Sequence, residues 1–281
     1  MVESGKLVQI AGMPDTSIKN KDCNKMPGSK KVKHPVLDCE ITFAEETHSY
    51  KDQRDIPYCS VTQLVHKAFK PFNAEETAKR KSIETGIPVE QYLAQWEAAG
   101  LKAARNGTRC HENCEQQILG HYNNLHKPEN EEERNRFRAA WFQVESLKKE
   151  FDSMEPEKLV FSPRFQVAGS IDILAKTKDE YAIIDWKYIK ELSRKGYSRG
   201  INYATKHMED SNFNIYSLQL NLYEMILKQD MYIPFDAKVK KFLLVYRQES
   251  GKFDRVDVDD LHVEALSLLL QNVTSSETLP F

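Results

Sequence analysis

The succession of hydrophobic patterns predicts an α/β fold: a mixed central β-sheet flanked by helices, with a helical N-terminal region in front of it. Three observations carry this. From Leu159 to Lys187, apolar residues alternate over strand-length runs broken by SPRF and TKDE. From Ile215 to Gln229, and again after Asp259, they recur at helical spacing. Much of the chain before Gly107 reads as charged helix. Hydrophobic residues make up 40% of the 281, enough for the core of one large domain. No run approaches the ~18 apolar residues that a membrane-crossing helix needs.

The elements follow in order. Residues 1–35 are rich in lysine and poor in large apolar side chains, which predicts a flexible basic arm. Residues 36–106 form a hairpin and helical region. CEITFAEETHSYK with IPYCS reads as a short hairpin, and SVTQLVHKAF as a helix capped by Ser60 or Thr62. NAEETAKRKSIETG is a strongly charged helix, and Pro88 opens another, VEQYLAQWEAAGLKAARN. A break is expected at Gly107, where the core domain, 107–281, begins. ENEEERNRFRAAWFQVESLKKEF is a long helix with an apolar stripe at Phe137, Trp141, Val144 and Leu147. LVFSPRFQVAG gives a strand pair, and GSIDILAKTKDEYAIIDWK a hairpin. Residues 189–212 form a long polar loop with several basic groups, a length that usually carries function. IYSLQLNLYEMILKQ is a helix, KVKKFLLVYRQ and FDRVDV pair around Gly251, and DDLHVEALSLLLQN closes the chain as an amphipathic helix.

A net charge of −2 does not by itself point to nucleic acid, although a basic groove can coexist with an acidic site. The five cysteines are odd in number and irregular in spacing. They predict a reduced, intracellular protein of nucleus or cytoplasm, not a secreted one, and MVESGKLVQIAG lacks the layout of a secretion signal. Cys110, His111 and Cys114 have no second ligand pair at zinc-finger spacing, so free thiols are expected.

Two residues break the plain hairpin pattern. If its turn lies between Lys178 and Asp179, Asp172 faces Asp185 with Cβ atoms roughly 4.5–5.5 Å apart. Carboxylates that close repel unless a proton or cation lies between them, and a hard divalent ion, Mg²⁺ or Mn²⁺, fits. Lys187 is two residues past Asp185 and points to the same face. Two acids, a metal and an ammonium suit phosphodiester hydrolysis. A structural Ca²⁺ site is the weaker alternative, because the dense acidic spacing of a calcium loop is missing. Two helical pairs at i,i+4 add to the set, His111 with Glu115 and Gln219 with Tyr223.

Asp172 followed by Asp185-Trp186-Lys187 resembles the PD-(D/E)xK nuclease superfamily, whose motif is an acid, a hairpin, then acid-x-Lys. GTRCHENCE is similar to the G-x-x-x-H-x-x-x-E helix of RecB-like members, AGSID to the small residues before the first acid, and Gln219 with Tyr223 to their Q-x-x-x-Y motif. The likeness spans Gly107 to Lys228, and the hairpin with YSLQLNLY also resembles predicted nucleases of phages and large DNA viruses. It implies a restriction-endonuclease-like fold with residues 107–281 as the nuclease core, and a metal-dependent DNA exonuclease leaving 5′-phosphate and 3′-hydroxyl ends. By the same resemblance, His111, Asp172, Asp185 and the backbone carbonyl of Trp186 would hold one or two Mg²⁺ or Mn²⁺ ions. Lys187 would position the water, Glu115 would ligate or support, and Gln219 and Tyr223 would brace the site. Arg105, Arg109, Lys190, Lys195 and Arg199 are candidate phosphate contacts, and Glu155 or Glu157 a supporting acid. An iron–sulfur cluster is not expected, since no cysteine follows Cys114. The expected partner is DNA, as single strands or duplex ends, with no membrane. RNA cleavage, structure-specific endonuclease action and non-catalytic nucleic-acid binding stay open, as does the oligomeric state.

Overall fold

The computed structural model describes residues 28–277. Four short strands come first: β1 (Ser29–Lys33), β2 (Glu40–Ala44), β3 (Ser49–Asp52) and β4 (Pro57–Ser60). Four helices follow: α1 (Val61–Lys67), α2 (Ala74–Thr85), α3 (Val89–Ile118) and α4 (Glu131–Glu150). Then come β5 (Ser153–Ser162), β6 (Val167–Lys176), β7 (Glu180–Lys187), α5 (Asn212–Gln229), β8 (Lys238–Arg247), β9 (Lys252–Asp257) and α6 (His262–Glu277). The strands form one nine-stranded mixed sheet in the order β1-β2-β3-β4-β6-β7-β8-β9, with β5 also paired to β6. Helices cover both faces, as expected for an α/β protein. No described helix is long and apolar enough to cross a membrane.

Side chains alternate across the central strands, so neighbouring residues enter different cores. Ile183 of β7 packs with Leu218, Leu222 and Ile226 of α5 and Leu268 of α6. Ile184 packs on the other face with Val144 and Leu147 of α4 and Cys114 of α3. Both isoleucines are fully buried, each worth roughly 1.5–3 kcal/mol. A strand buried on both faces reads as a continuous apolar run, and AII in β7 does so until Asp185 interrupts it.

Several expectations change. Ser29–Lys33, assigned to the flexible arm, is strand β1, paired along its length with β2; the rest of the arm, 1–27, lies outside the described residues. The break at Gly107 is absent, because α3 runs uninterrupted for 30 residues. A boundary at 106/107 therefore cuts a helix. A helical glycine costs only about 1 kcal/mol against alanine, and the turns on either side outweigh it. In α4 the buried face passes through Arg136, Ala140, Val144 and Leu147, while Trp141 is 39% exposed. Ser60 is the cap chosen for α1: its hydroxyl accepts from Gln63 N while the Gln63 side chain accepts from Ser60 N.

One feature of the sheet positions the site. β5 pairs with β6 along its whole length. On the other edge of β6, β4 pairs only at Val167 and Ala168, in parallel. β7 pairs only from Ile173 to Lys176, antiparallel. The C-terminal ends of β4 and β7 thus approach one another, and both part from β6, β7 while staying paired with β8, opening a fork beside Gly169–Asp172. Crevices at strand C-termini where neighbouring chains diverge are the usual binding sites of α/β sheets.

Candidate active site

Four elements, β5, β6, β7 and α3, bring acids and a histidine to the fork. The β6–β7 register is the one that places residue 172 opposite 185, but its last pair is Ile173↔Ile184. Beyond it the strands part, and the carboxylate of Asp172 accepts from Trp186 N at 2.9 Å in place of a backbone partner. On the other side of β6, Pro156↔Ile173 and Lys158↔Ile171 bracket Glu157, which stands opposite Asp172. Glu157 holds φ at +47°, a left-handed conformation inside a strand. A non-glycine residue there costs on the order of 1–3 kcal/mol and marks a locally over-determined site. The Ser170 hydroxyl donates to Glu157 Oε2 at 2.7 Å. From α3, His111 places Nδ1 3.4 Å from Asp172 Oδ2.

His111, Glu157 and Asp172 each offer a ligand atom, all within 4.8 Å of one another. Asp185, grouped with His111 and Asp172 by the sequence, is instead turned toward Lys187, with Oδ2 2.5 Å from Nζ. The physical reason is burial: Asp185 is 4% exposed, and the ammonium on the same strand face is its nearest counter-charge. Two of the acids, Glu157 and Asp185, are held back from ionising. Burial pushes Glu157 up to about 7, reinforced by the Asp172 charge and opposed by the Ser170 hydrogen bond. Burial likewise raises Asp185 to about 6, with Lys187 opposing and Asp172 adding. Burial alone would lower Lys187, but Asp185 outweighs it and the ammonium is kept well above its ordinary value. Two carboxyls raised by burial and by the charge of Asp172 between them form a site short of positive charge. One imidazole and two carboxylates within ligand distance suit a hard divalent cation, so the residues fit the expected metal.

The remaining expected residues divide. Tyr223 of α5 is 4% exposed, and Gln219 hydrogen-bonds it. Its ring lies so close to Gly169 that a Cβ there would sit 2.8 Å from both Cε1 and the hydroxyl oxygen. Glycine before the acid is thus a packing requirement of Tyr223. Glu115 sits one turn after His111 on α3, near enough for its charge to raise Glu157. Trp186 contributes its amide, and its ring is buried against Phe253. Lys190, Lys195 and Arg199 are exposed on the 188–211 loop. Arg105 and Arg109, expected as phosphate contacts, have acidic partners in this structure. Arg109 Nε is 2.7 Å from Glu133 and its Nη2 donates to Lys127 O at 2.8 Å, which binds α3 to α4; Arg105 pairs with Glu129.

Two participants were not read with any weight. Glu157 was only one of two candidate supporting acids, since nothing local distinguishes it from Glu155, whose carboxylate pairs with Lys158 at 2.6 Å. Tyr216 was missed: Lys187 Nζ lies 4.3 Å from its ring centroid. The signal existed, because residues 216, 219 or 220, and 223 share one face of a helix.

Residues 52–253 match the PD-(D/E)XK nuclease superfamily, and the chain belongs to that superfamily. It is therefore a nuclease-fold hydrolase acting on phosphodiester bonds of nucleic acid. Among solved structures it is similar to a "Putative exonuclease" from Eubacterium rectale, at 12% identity over 78% of this chain and 79% of that one, with a TM-score of 0.36, too distant to bear on activity. No curated protein matches it.

Proposed function

We propose that this protein is a divalent-metal-dependent deoxyribonuclease that degrades DNA from an end. The observation that carries the reading is the convergence of His111, Glu157 and Asp172 within ligand distance, beside the buried Asp185–Lys187 pair. The first three would hold the ion, with Asp185 and the Trp186 carbonyl available for it or for a second. Bound there, Mg²⁺ or Mn²⁺ supplies a Lewis acid to a phosphate oxygen and acidifies a water.

The chain's own residues do the rest. Trp186 N fixes the orientation of the Asp172 carboxylate. Lys187, held protonated by Asp185, offers a positioned positive charge that orients the attacking water and stabilises charge developing on the phosphate oxygens. The Tyr216 ring shields that ammonium from solvent. In-line attack by water forms a new P–O bond as the P–O3′ bond breaks, and the 3′-oxygen takes up a proton, leaving 5′-phosphate and 3′-hydroxyl ends. Tyr223 and Gln219 steady the strand, and Lys190, Lys195 and Arg199 offer phosphate contacts. The pairs His111/Glu115 and Gln219/Tyr223 favour the RecB-like branch. Action from an end is supported by the α2–α3 arm: α2 buries only Ala78, and α3 before Cys110 only Gly100. These segments stand largely outside the core, and we read them as a wall that selects a DNA end.

The test is degradation of labelled DNA with Mg²⁺, Mn²⁺ or chelator. Linear DNA should be degraded only with metal, and circular DNA spared. Asp172→Asn and Asp185→Asn should each lose at least ~100-fold in rate, the usual scale for a group that stabilises developing charge. Chelator-resistant cleavage, or full activity in both variants, defeats the reading.

A further inference from the structure

The loop between Tyr188 and Ser211 is built as a rigid bridge. At its base Ser193 N donates to Asn212 Oδ1 at 2.8 Å and Asn212 Nδ2 to Glu191 O at 2.9 Å. In its middle Ser198 N and Oγ donate to the Asp210 carboxylate at 2.8 and 2.6 Å, and Asp210 N returns to Ser198 O at 2.9 Å. At its far end Ile201 N and the Thr205 hydroxyl donate to Ala68 O at 2.9 and 2.8 Å. Its arms press so closely that a Cβ on Gly196 would lie 2.0 Å from Asp210 Oδ1, and one on Gly200 2.2 Å from Thr205 Oγ1. The loop leaves β7 directly after Lys187 and fastens to the end of α1, the helix that leaves β4. It therefore links the two chains that diverge at the fork.

This constrained backbone holds two aromatic rings out in water. Tyr197 is 85% exposed and Tyr203 79%. The cations around them are available: Lys195 and Arg199 are exposed, and Lys206 Nζ lies 4.6 Å from the Tyr203 ring centroid. The nearby acids are committed to the loop itself, Glu209 Oε2 accepting from Gly196 N at 2.8 Å and Asp210 from Ser198. Fixed, solvent-facing aromatic rings interleaved with free cations are the combination by which proteins bind single strands: bases stack on the rings while cations follow the phosphates. A paired duplex hides those base faces.

We propose that Tyr197 and Tyr203 form a stacking platform for unpaired bases, making single-stranded DNA the substrate that the acidic cluster receives. This rests on the nuclease reading above.

The test is anisotropy with labelled oligothymidylate in chelator, where binding occurs without cleavage. Tyr197→Ala and Tyr203→Ala should each raise Kd about tenfold, within the range of a base–aromatic stack, while the Phe variants stay within about twofold of wild type. A strand of the same length carrying abasic sites should bind wild type as weakly as the Ala variants bind the intact strand. Blunt duplex binding should be unaffected by either variant. Both rings stand in solvent, so the folds should hold, and unchanged melting curves check this. Ala variants that bind oligothymidylate like wild type, equal losses on duplex, or no single-strand binding at all would overturn the platform. A parallel Mg²⁺ assay separates the two ideas. A wild type that binds but cuts nothing sinks the nuclease reading alone, whereas intact cutting with unchanged Kd in the variants sinks the platform alone.

Discussion

Glu157→Gln tests the charge balance of the site without any substrate. Glu157 rises from 4.5 to about 7 on folding, because it is buried and faces Asp172. An acid raised in this way binds its proton more tightly in the folded state. Its stabilising contribution is complete below pH 4.5 and is lost as pH climbs through 7. At about 1.4 kcal/mol per unit, the full swing is about 3 kcal/mol. Glutamine cannot ionise and still accepts the Ser170 hydroxyl. In chelator, then, wild type and Glu157→Gln should melt together at pH 4.5, and the variant should melt roughly 6–12 °C higher at pH 8, at 2–4 °C per kcal/mol. Asp185 shifts the same way over a lower window, from 3.8 to about 6, but it is present in both proteins and cancels in the difference. Adding Mg²⁺ at pH 8 should raise the melting temperature of wild type far more than that of the variant. Scanning fluorimetry at four pH values, with and without metal, decides the matter. Parallel melting profiles from pH 4.5 to 8 would refute the buried-charge account.

Two further substitutions probe the same architecture. Gly169→Ala should cost about 1–3 kcal/mol in urea unfolding, because its Cβ meets the Tyr223 ring at 2.8 Å, and pairing it with Tyr223→Leu should recover part of the loss. Lys187→Ala should abolish most nuclease activity while leaving metal-dependent stabilisation intact, since Lys187 is outside the His111–Glu157–Asp172 set; loss of the metal shift in melting would contradict that division.

What sequence reasoning reached, and where it stopped, has a physical pattern. Relations set by local geometry were legible. A two-residue period and a polar turn are enough to give the β6–β7 register, and i,i+4 spacing is enough to put Gln219 against Tyr223. The capping box at Ser60 is likewise written in four residues. Relations set by two distant segments were not. Glu157 earns its place only because β5 pairs with β6 in one register and bends there to a positive φ. Arg109 looked free until α4 supplied Glu133. Gly107 looked like a stop because glycine weakens a helix, but neither a proline nor a left-handed residue lies there to end it. Trp141 followed the apolar spacing yet stays half in solvent, because the buried face of α4 passes through the alanines beside it.

The unbroken α3 has a consequence for how the enzyme measures. His111 lies 22 residues from Val89 on one continuous helix, a separation of roughly 33 Å at 1.5 Å per residue. No hinge intervenes, so the helix works as a ruler with His111, a proposed metal ligand, at a fixed mark. Whatever rests against its outer end is held at a set span from the His111–Glu157–Asp172 cluster.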